Sequence, residues 1–275
     1  MLNMINIATR PLSTTQSDVR KPNERYDIET CMLSDVGCVR SENEDQIRCI
    51  HPGDSKILAT KGLLAIVADG MGGHHAGAIA SQLAVETIEV QYYQDSQMPH
   101  LALERAFICA NRSIRALAEN HQQYNGMGTT ATALVIHEDF VFTAHVGDSR
   151  LYLVRDNRIL QLTQDHSVVM DMVQNGVLTI EEARRHPDNN IITRALGTQA
   201  EVQVSCCQTG IAVKSGDRFL LTSDGLHDLV DEDEILQTVR GSDVQQAGDC
   251  LIKQARNQGG FDNISVGIIA IHAAE

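Results

Sequence analysis

Carboxylates stand at the ends of several apolar segments that have the length of buried strands, and this repetition is the most informative chemical feature of the sequence. Asp69 follows LLAIVA, Asp148 follows FTAHVG and Asp224 follows FLLTS. Asp262 stands just before a fourth apolar segment, ISVGIIAI. Because strand ends at one edge of a sheet can meet in space, we expect these side chains to lie close together. Three further carboxylates belong to this set: Glu44 and Asp45 follow the first predicted strand and its turn, and Asp228 stands four residues after Asp224.

A cluster of carboxylates implies a bound cation. Carboxylates brought together repel one another and are costly to desolvate, so either their pKa values rise or a cation neutralises them. Oxygen ligands suit hard ions such as Mg²⁺ and Mn²⁺. The carboxylates outnumber what one ion needs, which indicates two ions that share a bridging aspartate. Metal pairs of this kind serve phosphoryl chemistry by clamping the attacking and the leaving oxygen.

Arg40 is the candidate anchor for a phosphate group. It lies four residues before Glu44, and a guanidinium can bind phosphate through two parallel hydrogen bonds. Each feature taken alone has a simpler explanation, since Asp-Gly is a common turn dipeptide and most arginines are surface residues. The prediction therefore rests on the repetition and not on any single residue.

Hydrophobic periodicity indicates which elements carry these residues. Alternation at Tyr26, Ile28, Thr30 and Met32 predicts a first strand, and helical spacing predicts two long helices over 77–94 and 100–121. Four short apolar runs separated by turn residues predict antiparallel hairpins: 129–136, 140–147, 150–155 and 158–163. Other strands are predicted over 62–70, 217–225 and 264–271, and helices are predicted to start near Thr179, Asp231 and Ser242. This order does not alternate strand and helix, so it predicts an α+β fold built on antiparallel sheet.

Composition excludes several classes of protein. The 275 residues carry a formal net charge of −14, which argues against a nucleic-acid binder and against docking on anionic lipid. No apolar run is long enough to span a membrane, and the N-terminus lacks a signal peptide, so we expect a cytoplasmic protein. The seven cysteines are scattered and predict reduced thiols. Residues 1–25 are polar and predict a flexible tail, followed by a single domain over 26–275.

The motifs, taken in order, resemble those of a known family. The chain resembles the metal-dependent protein serine/threonine phosphatases (type 2C, or PPM), and the DGMGGH form resembles the bacterial branch. The resemblance runs from Ile28 to Ile271 and depends on six segments in sequence: SDVGCVRSENED, VADGMGGHHAG, GTTATAL, VGDSRLYL, TSDGLHDLV and FDNISV. It implies a four-layer α-β-β-α sandwich in which two antiparallel sheets are flanked by helices.

The resemblance also implies a centre of two Mn²⁺ or Mg²⁺ ions at one end of this sandwich. It implies that Asp69 bridges both metals and that Gly70 gives a backbone carbonyl to one of them. Asp224 and Asp262 match ligands of the other metal, and Arg40 matches the residue that binds the substrate phosphate.

Four more carboxylates match positions near the metal pair. Glu44 and Asp45 match residues that bind directly or through water. Asp148 and Asp228, together with Asp224, match a site for a third and weaker metal in bacterial members.

Two regions differ from a minimal site. Met71 stands where eukaryotic members have a histidine that is a candidate general acid, and His74 or His75 is a weaker candidate for that role than a structural or solvent-facing residue. His166 and the following residues to 190 match a flap over the site in bacterial members, although a plain loop with one helical turn is an equally good interpretation. Asn263 is expected to orient its neighbours.

The predicted function is hydrolysis of phosphoserine and phosphothreonine in proteins, by direct attack of a water that bridges the two ions. We expect a monomer that reverses a bacterial serine/threonine kinase and its targets. One alternative is a non-catalytic module of the same fold that binds phosphoproteins. Another is a binuclear phosphoesterase that acts on small molecules, because two metals and Arg40 recognise only the phosphate group.

Overall fold

A computed structural model describes residues 20–23, 26–72 and 75–274. The predicted tail, residues 1–25, lies outside these ranges except for Arg20–Asn23, which form a short strand. No helix in the described part of the chain is both long and apolar enough to cross a membrane.

The strands form two antiparallel sheets. The first has six strands in the spatial order β1-β2-β13-β12-β8-β9: Arg20–Asn23 (β1), Tyr26–Asp35 (β2), Ile264–Ala273 (β13), Arg218–Thr222 (β12), Arg150–Arg155 (β8) and Arg158–Gln161 (β9). The second has a central order β10-β7-β6-β4-β3, with β11 added to β7 and β5 added to β4: Ser205–Cys206 (β10), Phe140–Val146 (β7), Ala131–His137 (β6), Leu63–Met71 (β4), Asp45–Ile50 (β3), Ile211–Ala212 (β11) and Gly128–Thr129 (β5).

Helices cover the outer face of each sheet. In chain order they are Ser55–Lys61 (α1), Ala76–Gln94 (α2), Pro99–Asn120 (α3), Val168–Gln174 (α4), Ile180–Ala183 (α5), Asp224–His227 (α6), Glu232–Gly241 (α7) and Val244–Asn257 (α8). The pair α2 and α3 packs on the seven-stranded sheet, and α6, α7 and α8 pack on the six-stranded sheet. The predicted α-β-β-α sandwich is confirmed.

Three apolar layers hold these four layers together. One lies between α2, α3 and the seven-stranded sheet, a second lies between α6, α7, α8 and the six-stranded sheet, and the third lies between the two sheets. The strand β2 shows why alternation works here. Cys31 is buried under α8, whereas Tyr26, Ile28 and Met32 face the layer between the sheets.

Local signals set several helix ends. The predicted capping box of Thr179 and Glu182 is present at α5, and Asp231 caps α7 with Glu234. The predicted start of the last helix at Ser242 is wrong by one residue. Asp243 is the N-cap, because its side chain accepts a hydrogen bond from the Gln246 N–H.

Gly225 in α6 is the point of closest approach between this helix and the turn before β13. A Cβ atom added at Gly225 would lie 2.0 Å from the carbonyl oxygen of Asn263. Because that neighbour is backbone, we expect Gly225→Ala to lower the free energy of unfolding by about 1–3 kcal/mol. The measurement is urea unfolding.

A matched control for this substitution lies at the end of α7. A Cβ atom at Gly241 would meet nothing within 4 Å, so Gly241→Ala should leave stability unchanged or raise it by less than about 1 kcal/mol. Equal stabilities of the two variants would contradict the packing argument.

Candidate active site

Two of the predicted carboxylates face each other across neighbouring strands. Asp45 in β3 pairs directly with Asp69 in β4. The strand β4 continues through Asp69 and Gly70 to Met71, one residue beyond the end of the strand predicted over 62–70. Like charges directly opposite each other on a sheet are destabilising, so this register is unfavourable unless the charge is neutralised.

The six-stranded sheet brings its carboxylates to the same place. Asp148 precedes β8, Asp224 begins α6 directly after β12, and Asp262 precedes β13. Since β8, β12 and β13 are neighbours in the sheet, these three residues lie at one end of it. A bridge between the two sheets completes the cluster: the Ser223 hydroxyl donates a hydrogen bond of 2.6 Å to Asp45 Oδ2.

Burial and mutual repulsion raise the pKa values of these carboxyl groups. Burial raises the pKa of Asp45 to about 6, with Asp262 and Glu44 adding to the effect. Burial, then Asp165 and Asp228, raise the pKa of Asp148 to about 7. The pKa values of Asp69 and Asp224 are raised well above the ordinary range by burial and by the surrounding aspartates. The sequence therefore predicted correctly that the carboxylates gather in space.

Two buried oxygen atoms in this cluster fit a cation. Asp45 Oδ1 and Asp224 Oδ1 are buried, and no described residue donates a hydrogen bond to either. A buried carboxylate oxygen without a donor is unfavourable, and a hard cation is the partner that suits it. Neither oxygen is explained by the packing of the protein alone.

The carboxylates lie close together, but their side chains are not arranged as a complete coordination shell for a metal ion. In the described ranges, no group of three or more His, Cys, Asp or Glu side chains is arranged to hold a metal ion. Two carboxylates bind protein donors instead, since Asp45 accepts from Ser223 and Asp262 accepts from Arg40. Asp45 can still meet a cation through its other oxygen, Oδ1, which has no described donor.

Arg40 lies at the edge of the cluster. Its Nη2 atom is 2.6 Å from Asp262 Oδ2, and about half of its side chain is exposed. A guanidinium has five N–H donors, so a contact through one nitrogen leaves others directed to solvent. Arg40 can therefore meet an incoming anion.

Asn263 fixes the loop that carries Arg40 and Glu44. Its side-chain oxygen accepts a hydrogen bond from the Glu44 N–H at 2.8 Å, and its amide nitrogen donates to the carbonyl oxygens of Val36 and Glu42. These three bonds fix the loop over residues 36–44 to the start of β13. The orienting role predicted for Asn263 matches these contacts.

The Glu44 side chain lies against the first turn of α2. Its carboxylate accepts a hydrogen bond from the backbone N–H of Gly77, and a Cβ atom at Gly77 would lie 2.6 Å from Glu44 Oε1. Gly70 packs as closely, because a Cβ atom there would lie 2.1 Å from the Gly77 carbonyl oxygen. The glycines of the DGMGGHHAG segment therefore allow β4 and α2 to meet beside Glu44.

Small hydroxyl residues that hold Asp69 were not recognised in the sequence as part of the site. Thr130 Oγ1 accepts from the Asp69 N–H, and Thr129 Oγ1 donates to the Asp69 carbonyl oxygen. Ser149 contacts Thr130 at 2.6 Å. The Gly-Thr-Thr motif is the sequence signal for these contacts, but the β propensity of threonine explains the same residues without any site.

The structure gives little support for His74 or His75 as a proton donor in the site. His75 is three-quarters exposed, and its Nδ1 atom lies 2.5 Å from Glu42 Oε2. His74 lies outside the described residues. Met71 ends β4 and carries no proton donor.

The segment from His166 to residue 190 contains two short helices, α4 and α5, and its two ends meet. The His166 carbonyl oxygen accepts from the Thr193 N–H at 2.7 Å, and the His166 N–H donates to the Gly147 carbonyl oxygen at 2.7 Å. His166 Nδ1 also accepts from the Gly147 N–H. The segment is therefore anchored beside Asp148 and covers a cavity of about 550 Å³ that Asp148 and Asp228 help to line.

The raised pKa of Asp148 predicts a pH dependence in metal-free protein. A folded-state pKa above the usual value favours the fold at acidic pH, and this contribution is lost as the pH rises through about 7. We expect Asp148→Asn, measured by urea unfolding in EDTA, to be more stable than wild type by on the order of 2 kcal/mol at pH 7.5. The difference should shrink as the pH falls below 7 and should disappear only near the ordinary pKa of aspartate, at about pH 4.

The comparison with wild type is necessary because buried histidines act in the opposite direction. Burial lowers the pKa of His145 to about 3 and that of His166 to about 4, so these residues destabilise the fold as the pH falls below about 6.5. Both proteins share this effect, which cancels in the difference. A constant difference across this pH range would contradict the shift at Asp148.

Comparisons with known proteins agree with this geometry. The family model for protein phosphatase 2C matches residues 40–255. The chain is 36% identical to protein phosphatase PhpP of Streptococcus pneumoniae over 252 residues, which cover 89% of this chain and 98% of that protein. It superposes on serine/threonine phosphatase Stp1 of Staphylococcus aureus with a TM-score of 0.81 and 30% identity, covering 93% and 99% of the two chains.

One solved relative contains metal. The catalytic domain of serine/threonine phosphatase PstP, solved in complex with two manganese ions, superposes with a TM-score of 0.76 and 33% identity, covering 90% of this chain and 99% of that one. The match to the family model spans well over half of the chain, and the curated relatives align along nearly all of the folded part. With its sandwich fold and its cluster of carboxylates, this chain belongs to the protein phosphatase 2C family.

Proposed function

We propose that this protein removes phosphate from phosphoserine and phosphothreonine residues of other proteins and that it depends on Mn²⁺ or Mg²⁺. The observation that carries the proposal is the pair of buried oxygens without donors, Asp45 Oδ1 and Asp224 Oδ1, in a carboxylate cluster that borders Arg40. The similarity to bacterial phosphatases along nearly the whole folded part supports it.

The proposed metal ligands come from both sheets and from α6. Asp69 would bridge two ions, with the Gly70 carbonyl oxygen beside it, and the second ion would be held by Asp224 and Asp262. The remaining carboxylates would bind directly, through water, or at a third site: Glu44, Asp45, Asp148 and Asp228. The two manganese ions of the PstP catalytic domain support this assignment.

The metals and the protein side chains would have separate roles in the reaction. When bound, two divalent cations neutralise the carboxylates and make a water more acidic, so that it can attack phosphorus. Arg40 holds the phosphate oxygens, where charge accumulates during the reaction. Met71 cannot protonate the leaving alkoxide, and His75 is engaged with Glu42.

The proposed substrates are phosphoproteins made by a bacterial serine/threonine kinase. The names of the relatives in Streptococcus, Listeria and Mycobacterium support this class of substrate. We also propose that the protein acts as a monomer in the cytoplasm, where kinases find ATP. A non-catalytic module of the same fold is disfavoured. Such a module has no need for metal-binding carboxylates, whereas this chain keeps all the proposed ones, in the cluster or at its border.

Asp69→Asn and Asp224→Asn test the proposed ligands. Each removes a charge that would hold the cations, so turnover of a phosphothreonine peptide in Mn²⁺ should fall by at least about a thousandfold. Calorimetric titration should show weakened Mn²⁺ binding in the same variants. Asp156→Asn is the control, because it makes the same exchange at a surface turn. Full activity of Asp69→Asn would refute the assignment.

Arg40→Lys tests phosphate recognition. Lysine keeps the positive charge but loses the planar fork, so kcat/KM for the same peptide should fall by about ten- to a hundredfold with Mn²⁺ binding retained. Arg48→Lys is the control, since Arg48 lies on β3 away from the cluster, where it forms an ion pair with Glu89 of α2. An unchanged kcat/KM for Arg40→Lys would show that the phosphate is held elsewhere.

A further inference from the structure

Two loops run side by side along the edge of the carboxylate cluster. The Cys38 N–H donates to the Gly260 carbonyl oxygen at 2.7 Å, and two residues further along Arg40 pairs with Asp262 at 2.6 Å. Val39 and Phe261 stand between these two contacts, one on each loop. Both are among the large apolar side chains of highest exposure in the described structure, at 66% and 63%.

Neighbouring residues constrain the two loops that carry these side chains. The Cys38 side chain is exposed, and its sulfur lies 3.8 Å from the Arg256 carbonyl oxygen at the end of α8, which ties the loop before Val39 to that helix. The Phe261 ring lies on the backbone of Gly259, where a Cβ atom would come within 2.4 Å of the ring. The ring is therefore in contact with the Gly259 backbone, and most of its surface is exposed.

The backbone beneath this pair is rigid. A Cβ atom at Gly37 would lie 2.2 Å from the Asp262 carbonyl oxygen, which shows how closely the loops pack. The Asn263 side chain binds both ends of the loop that carries Val39. Apolar groups held in place before binding lose little entropy when a ligand covers them.

We propose that Val39 and Phe261 form an apolar rim that binds an uncharged, apolar side chain next to the phosphorylated residue of a protein substrate. The inference rests on the proposed phosphatase function. A substrate whose phosphate reaches Arg40 must place its neighbouring residues along the loops on either side of Arg40. An apolar neighbouring residue strengthens binding, because it buries the apolar surface of the rim. A charged one weakens binding, because it loses its hydration and neither Val39 nor Phe261 offers a polar group in return.

The experiment compares two phosphothreonine peptides that are identical except that leucine or serine flanks the phosphothreonine on both sides. With the full chain and Mn²⁺, kcat/KM should be about tenfold higher for the leucine peptide. The double variant Val39→Ser/Phe261→Ser should lose this preference while it hydrolyses the serine peptide at the wild-type rate. Phe261→Leu, which keeps an apolar surface, should retain most of the preference.

The matched control is Val90→Ser/Leu160→Ser, which removes two apolar side chains of similar exposure on α2 and β9, away from the cluster. It should keep the wild-type preference. The inference is overturned if wild type does not distinguish the peptides, if the double rim variant still prefers leucine, or if that variant loses both activities equally. If wild type hydrolyses neither peptide, the proposed function itself fails and the rim has no substrate to select.

Discussion

Mutual repulsion among carboxylates at one end of the sandwich is the constraint to which the rest of the structure responds. Asp45 and Asp69 are paired across neighbouring strands, and Asp148, Asp224 and Asp262 are brought to them from the other sheet. Burial and proximity raise the pKa values of these groups, so the fold is strained electrostatically wherever they ionise. Three layers of apolar side chains hold the sheets together against that repulsion. Apolar packing can therefore hold the carboxylates together, although their repulsion lowers the stability of the fold.

The contacts that position the cluster are mostly made to backbone atoms. Thr130 and Thr129 bind the amide and carbonyl groups of Asp69, and Asn263 binds the amide of Glu44. These anchors are uncharged, so they add nothing to the repulsion. They also leave carboxylate oxygens for another partner, as the buried Oδ1 atoms of Asp45 and Asp224 show. An arrangement that satisfied every oxygen with protein donors would leave no reason for a cation to bind.

The sequence predicted the elements and the membership of the cluster better than its detailed contacts. Strand alternation and helix caps depend on neighbouring residues, so β2, α2, α3 and the cap of α5 could be predicted. The short strand β3 was not predicted, because polar and charged residues interrupt its six residues and leave only a weak apolar alternation. The pairing of Asp45 with Asp69 and the bridge from Ser223 join residues far apart in the chain, and no local pattern encodes such a register.

Arg40 links the proposed metal site to the proposed phosphate site. Its guanidinium pairs with Asp262, one of the carboxylates assigned to a metal. A phosphate group and Asp262 are both anions, so they compete for the donors of the same side chain. On the proposed assignment, a cation that binds Asp262 weakens its hold on Arg40 and leaves the guanidinium for substrate. By thermodynamic linkage, phosphate bound at Arg40 must then favour cation binding at Asp262 to the same extent. On this assignment, the affinities for metal and for substrate are coupled through a single ion pair, which lies beside the proposed rim of Val39 and Phe261.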